Sequence, residues 1–225
     1  MKVLVACEES QAVCIAFRKL GHEAYSCDTQ ECSGGHPEWH IKGDVLPLIN
    51  GNKPFITMDG DLHAIVGTWD LLIAFPPCTY LTNAGSVRLR VKGEINKERM
   101  AKAVEAKAFF MKFLEADCQK ICVENPTPGK IHQLPQYTQA IQPWWFGHPY
   151  TKRTCLWLKN LPPPLTPTDI IREGVTPYVN GGCKDAHGNY RRFQGRNERD
   201  PKTRSKTFLG VAQAMAQQWG GDMSG

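Results

Sequence analysis

Four groups of polar or reactive residues stand directly behind apolar runs in this sequence: Cys7-Glu8-Glu9-Ser10, Asp28, Phe75-Pro76-Pro77-Cys78 and Glu124-Asn125-Pro126. Two prolines stiffen the backbone ahead of Cys78, and a thiol so placed becomes a nucleophile where its surroundings lower its pKa. Glu124 follows the apolar run Ile121-Cys122-Val123. Its carboxyl should therefore be partly desolvated, with a raised pKa and a proton to share or donate. Taken singly, Cys78 reads as an inert cysteine after a strand and Glu124 as a capping or surface glutamate. Gathered on one rim, such groups are what an active site requires.

For these groups to meet, the apolar runs must be strands of an open parallel sheet, because such sheets bind ligands outside the carboxyl ends of their strands. Val3 to Ala6 reads as a short buried strand. Ser10 can cap a helix in which Val13, Ala16, Phe17 and Leu20 recur at helical spacing, and Gly21 stops it. Ala24 to Cys27 is a second strand ending at Asp28. A strand–helix–strand opening favours parallel pairing with right-handed crossovers. Gly43-Asp44-Val45 is expected as a short third strand. Residues 50 to 68 carry turn signals at Asn50-Gly51 and Asp59-Gly60 and no clear element.

Asp70 to Phe75 is a strong strand that Pro76-Pro77 ends abruptly. A long helix is predicted from Lys97 to Ala116, with Met100, Val104, Ala108, Met111 and Leu114 as its apolar stripe. Ile121 to Val123 and Arg153 to Leu158 are later strands, and Pro162 to Pro167 is a connector. A last helix is predicted from Ser205 to Trp219, with Phe208, Val211, Ala212, Met215 and Trp219 on one face. The fold class is α/β, a doubly wound sheet with a small irregular insertion. Residues 1–158 and 204–225 form the main domain, and the aperiodic stretch 159–203 the insertion.

Composition fits one such domain: 225 residues, 41% of them hydrophobic. No apolar stretch approaches the roughly 18 residues of a membrane span, so no membrane is expected as a partner. The opening apolar run is too short for a signal peptide, which points to the cytoplasm. The nine cysteines show no secreted disulfide framework and read as reduced. Cys27, Cys32, His36 and His40 have spacing that could ligate zinc. The motif is irregular and Cys27 ends a strand, so the reading assigns them to a loop on the cofactor side and places no metal. Trp144-Trp145-Phe146 reads either as core or as a platform for stacked bases. Between Lys184 and Lys206 the chain carries eight Lys or Arg against three acidic residues, a net charge equal to the +5 of the whole protein. A neutral body with one basic segment suggests an anionic partner there.

Phe75-Pro76-Pro77-Cys78 resembles the catalytic Pro-Cys motif of DNA (cytosine-5) methyltransferases, and Glu124-Asn125-Pro126 resembles their Glu-Asn-Val motif. The order matches, with a helix and one strand between. Tyr150-Thr151-Lys152-Arg153-Thr154 is similar in position to their later arginine motif, without its Gln-x-Arg-x-Arg form. Arg204-Ser205-Lys206-Thr207 resembles their last, cofactor-side motif. The resemblance covers most of residues 1–158 and 204–220 and is to the small, phage-type members.

The resemblance implies a Rossmann-like methyltransferase sheet, S-adenosylmethionine as cofactor, DNA as partner at residues 184–206, and a monomer in the cytoplasm, that of the host cell if the protein is phage-encoded. It implies that Cys78 adds to carbon 6 of a flipped cytosine. Glu124 then holds N3 and the exocyclic amine, and Arg153 holds the loop, the base or a phosphate. Cys7, Glu8, Glu9 and Ser10 in the first strand–helix turn, Asp28 at the ribose, Asp44 at the adenine amine, Pro76 and Thr207 are the cofactor residues it implies. The first turn departs from the family, with Cys7-Glu8-Glu9-Ser10-Gln11 in place of Gly-x-Gly. The insertion of 45 residues is short for a target-recognition region. Methylation of a free cytosine nucleotide or of RNA therefore stands beside the DNA reading. So does a catalytically inactive methyltransferase fold used for DNA binding.

Overall fold

A computed structural model of the protein describes residues 1–91, 93–161, 165–179, 181–184, 187, 189–193 and 201–221. Seven strands form the central sheet: β1 (Lys2–Ala6), β2 (Glu23–Asp28), β3 (His40–Lys42), β4 (Leu71–Ala74), β5 (Lys120–Pro126), β6 (Gln139–Ile141) and β7 (Thr154–Lys159). Their spatial order is β6-β7-β5-β4-β1-β2-β3. β7 runs antiparallel to both neighbours, and the other pairings are parallel. Side chains alternate between two cores, as pleating requires. Leu4, Ala6, Leu72, Ala74, Ile121, Val123, Cys155 and Trp157 face one. Val3, Val5, Leu71, Ile73, Cys122 and Leu156 face the other. Helix α2 (Lys97–Leu114) covers the first face, and α1 (Ala12–Lys19) and α3 (Leu209–Gly220) cover the second. The sheet is thus the doubly wound α/β sheet that the sequence pattern predicts.

Four local expectations are corrected. The third strand is His40–Lys42 rather than Gly43–Val45; Asp44 instead turns the chain, its carboxylate accepting from the Leu46 amide at 3.0 Å. Ser10 does not cap α1. The residue ahead of the helix is Gln11, in the left-handed region at φ 59°, with no side-chain cap of its own. The Glu8 carboxylate takes the role, accepting from the amides of Val13 at 2.7 Å and Cys14 at 3.2 Å. The fully buried residues of α2 are Ala103, Phe110 and Phe113; of the predicted stripe, Met111 and Leu114 pack against the same core partly buried, while Val104 is 62% exposed. Two stripes coexist in this helix, and the one carrying the large aromatic rings wins the core because it removes more apolar area from water. Finally, the C-terminal helix starts at Leu209, and Pro201–Ser205 is a separate short helix ahead of it.

The late start of α3 has a tertiary cause. The Gly210 amide donates to Nε2 of His148 at 3.0 Å, so a ring from another segment satisfies one of the helix's orphan donors. A Cβ on Gly210 would stand 1.9 Å from the Phe146 carbonyl oxygen.

Residues 50 to 68 contain a short antiparallel pair, Pro54–Ile56 with Leu62–Ala64. Within the insertion, Leu165 is buried in the core under α1 and α3. Tyr150–Thr151 pairs with Thr176–Pro177, and Gly181–Lys184 pairs with Tyr190–Phe193. Of the basic segment, Arg196 and Arg199 lie outside the described residues, as do the side chains of Lys184, Arg191, Arg192 and Lys202; Pro162, Pro163 and Pro164 of the connector also lie outside. No helix among the described residues is long and apolar enough to cross a membrane.

Because backbone cannot yield as a flexible side chain can, Gly210→Ala should lower stability by at least about 2 kcal/mol. Urea unfolding of the variant beside the native protein measures this.

Candidate active site

Sheet order runs outward from β1 in opposite directions, to β2 and β3 on one side and to β4 and β5 on the other. The loops after β1 and β4 therefore leave by opposite faces and open a crevice at the rim. A cleft of about 910 Å³ occupies that place. Cys7, Glu8, Glu9, Ser10, Asp28, Pro76, Cys78, Glu124, Arg153 and Thr207 all line it; Asp44 does not.

Cys78 follows β4 in a tight turn, its carbonyl accepting from the amides of Leu81 at 3.0 Å and Thr82 at 3.1 Å. The loop is then tied down from two sides. Asn83 donates its amide to the Thr127 carbonyl, and Gly129 donates to the Leu81 carbonyl, which joins the loop after β4 to the loop after β5. From α2, the Arg99 guanidinium donates to the carbonyls of Thr79 and Gly85, each at 3.2 Å, and packs over the Tyr80 ring.

The electrostatics around Cys78 reverse one expectation. Its surroundings do not lower the thiol pKa. Burial pushes it up, the Glu124 carboxylate pushes it further, and Lys152 and Arg204 oppose. Glu124 itself is pushed up to about 7 by desolvation, against the pull of the Lys152 ammonium. The free protein thus holds a neutral thiol beside a carboxyl that is about half protonated at neutral pH.

Lys152 completes the group, and sequence reading missed it. Its side chain lines the cleft and donates to the Arg204 carbonyl at 2.8 Å. Desolvation lowers its pKa, while Glu124 and Cys78 raise it. The antiparallel sense of β7 explains its arrival: the strand pairs Thr154 with Pro126 and Leu156 with Glu124. Its leading residues therefore lie on the rim where the parallel strands end. Arg153, the residue singled out from sequence, sits exposed at the cleft edge, where its guanidinium donates to the Tyr137 hydroxyl at 2.7 Å. The signal for Lys152 was the basic pair ahead of an alternating strand; choosing between the two needs the strand's register.

At the other end of the cleft, Cys7 and Gln11 both adopt positive φ, 58° and 59°, a conformation costly for residues with a Cβ. The Gln11 side chain holds it there, donating to the His36 carbonyl at 2.8 Å and accepting from the His36 amide at 3.1 Å. Asp28 accepts from the Gln30 amide at 2.9 Å. The zinc candidates are not brought to a point. The Cys27 thiol donates to the Gly43 carbonyl, and both His40 ring nitrogens are engaged, by Ser26 and Gln30. Among the described residues no group of three or more His, Cys, Asp or Glu side chains could hold a metal ion. Phe146 is buried in the core and Trp145 packs against it.

A solved structure described as a DNA modification methyltransferase encoded within an E. coli prophage aligns with TM-score 0.41 and 11% identity, over 79% of this chain and 53% of that one. A methyltransferase of Entamoeba histolytica aligns with TM-score 0.39 and 12% identity, over 75% of this chain and 57% of that one. The chain spans little more than half the length of each. No family model and no curated protein matches the sequence.

Two outcomes follow from the charge pattern. Glu124→Gln removes the negative neighbour of Cys78 and should shift the pH profile of Cys78 alkylation by iodoacetamide to lower pH; Lys152→Met should shift it higher. Peptide-level mass spectrometry of Cys78 reads both.

Separately, Glu8 and Glu124 hold their protons more tightly folded than unfolded, with carboxyls pushed up to about 7 from an ordinary 4.5. The stability this contributes is complete below about pH 4.5 and lost as pH rises through about 7, on the order of 2–3 kcal/mol per group. Glu124→Gln should therefore gain stability on the native protein between pH 5 and pH 7.5 in urea titrations. An unchanged difference would contradict the raised carboxyl.

Proposed function

We propose that this protein is an S-adenosylmethionine-dependent methyltransferase that methylates carbon 5 of cytosine in DNA. The single observation that supports this most is the meeting of Cys78, Glu124 and Lys152 on one cleft rim, at the motifs whose resemblance to cytosine-5 methyltransferases is seen in the sequence.

The residues of the first turn fit the cofactor. In dinucleotide-binding folds the amides at this helix N-terminus bind phosphate. Here the Glu8 carboxylate already occupies two of them, which disfavours a phosphate and suits a phosphate-free nucleoside. Asp28, at the end of β2, would hold the ribose hydroxyls. S-adenosylmethionine, when bound, supplies an electrophilic methyl group on a sulfonium.

The chain's residues do the rest. Cys78 passes its proton to the Glu124 carboxylate and adds through sulfur to carbon 6 of the cytosine, which turns carbon 5 into an enamine-like nucleophile. Glu124, with a pKa of about 7, donates a proton to N3 as that bond forms. Taking up the thiol proton first removes the negative charge that opposes the Cys78 thiolate, and passing it on to N3 returns that charge to Glu124 once the sulfur is bonded to carbon 6. Lys152 stabilises whichever of the two groups is anionic at each stage. After methyl transfer the carbon 5 proton leaves to solvent, the carbon–sulfur bond breaks, Cys78 departs as thiolate and Glu124 recovers the N3 proton. The basic segment 184–206 would carry the nucleic-acid contacts.

Tritiated S-adenosylmethionine with unmethylated DNA, RNA and cytosine nucleotides tests the reading. DNA should acquire label as 5-methylcytosine. Cys78→Ala should fall below about one thousandth of native activity, and Glu124→Gln should fall about a hundredfold or more. Label only in RNA or nucleotides would replace the substrate. DNA binding without label in any pool would identify a binding module.

A further inference from the structure

Lys152 is a partly buried cation held mainly by neutral groups. Its amide donates to the Gln142 side chain at 2.9 Å, and its ammonium donates to the Arg204 carbonyl at 2.8 Å. Among the described residues it belongs to no ion pair. The ammonium meets two rings instead, Tyr178 and Phe208, each with its centroid 5.7 Å from Nζ. That distance is within reach of a cation–π contact, which gains strength where water is excluded.

The rings hold one another. Tyr178 and Phe208 pack edge to face at 4.7 Å, and Tyr150 closes on them at 5.2 and 6.0 Å. His148 meets Phe208 at 5.0 Å and is itself fixed by the Gly210 amide, which donates to its ring. Backbone pairing sets the level of Tyr178: Tyr150–Thr151 pairs with Thr176–Pro177, and the Tyr178 amide donates to the Thr151 carbonyl at 3.0 Å. Both walls thus come from outside the sheet, Tyr178 from the insertion and Phe208 from the residue ahead of α3.

A carboxylate partner would stabilise the ammonium by cancelling its charge. A ring face stabilises it through the quadrupole and leaves the charge whole. The charged and titratable groups that act on Lys152 are Glu124 and Cys78, which favour the ammonium, and Arg204, which opposes it. Its charge therefore stays available to the anions of the reactive rim.

We propose that Phe208 and Tyr178 are positioning residues for the chemistry at Cys78: their ring faces hold the Lys152 ammonium on the reactive rim with its charge uncancelled. This rests on the mechanism proposed above and deepens it by naming what holds its cation.

The pH profile of Cys78 alkylation by iodoacetamide, read by peptide mass spectrometry in the full chain, tests this without any methyl-transfer assay. Replacing Phe208 by mono-, di- and trifluorinated phenylalanine weakens the negative ring face stepwise with little change of shape. Each step should move the profile to higher pH, and the trifluorinated ring should slow alkylation at pH 7.5 by about threefold or more, the scale of a weakened cation–π contact. Tyr178→Leu should act in the same direction, and Tyr178→Phe, which keeps the ring face, should leave the profile in place. In a Lys152→Met background the fluorinated series should have no effect. A flat series in the native background overturns the proposal. So does an equal series in Lys152→Met, since the rings would then act by packing or on the thiol directly. A graded series in a protein that methylates no substrate overturns the proposed function and supports the hold of the rings on Lys152.

Discussion

A thiol, a carboxyl and an ammonium share one poorly solvated rim in this protein, and none of the three holds its charge independently of the others. Desolvation penalises every ionised form. The Glu124 carboxylate makes a Cys78 thiolate harder to form, and the Lys152 ammonium makes both anions easier. An ionised Glu124 disfavours the Cys78 thiolate while Lys152 and Arg204 favour it, so the state with both groups ionised is the costly one. That constraint links proton position to nucleophilicity. A site of this kind stays quiet when empty, because the thiol is neutral, and gains a nucleophile when the carboxylate takes up a proton and leaves the negative charge to sulfur.

The fold supplies the constraint through topology more than through local chemistry. Two parallel strands, β4 and β5, deliver Cys78 and Glu124 from their carboxyl ends. The antiparallel β7 delivers Lys152 from its start, and only a strand of reversed sense could bring a leading residue to that rim. Rigidity comes from bonds between loops: the turn after Cys78 is stitched to the loop after Glu124 and pinned from α2 by Arg99. The Arg204 carbonyl holds Lys152 in place, so the segment that continues to Lys206 touches both the reactive group and the opposite end of the cleft. A shift of that segment would act on both ends together.

Much of this was legible in the residues. Apolar runs ending at Cys78 and Glu124 announce strands that end in reactive groups, and the strand–helix–strand opening announces the winding of the sheet. What escaped reading depended on distant partners. Ser10 has the right chemistry for a cap, but Glu8 reaches the same amides from inside the turn. Val104 belongs to a plausible stripe, yet Phe110 and Phe113 turn α2 the other way. Arg153 and Lys152 are adjacent and equally basic, and only the register of β7 against β5 decides which enters the cleft. Asp44 sits one turn beyond a strand that ends earlier than its own residues suggest, and its carboxylate is spent on a local amide. Local pattern fixes where an element lies; which side chain it presents is settled by the element packed against it.

The first turn shows how a departure from a familiar motif can carry meaning. A glycine-rich turn leaves the amides of the following helix free and lets the backbone approach a phosphate. This chain places Cys7 and Gln11 in the left-handed conformation that glycine would take without strain, and spends the Gln11 side chain on holding it. The strain is maintained by the hydrogen bonds between Gln11 and His36, and beside it Glu8 folds back onto the helix amides. A buried carboxylate there repels a phosphate and rewards nothing that carries one. The missing glycines and the internal cap are therefore one feature: a turn that has closed its anion site with a residue of its own. What is left along the cleft is the carboxylate of Asp28, the Glu9–Lys206 charge pair and the volume between them.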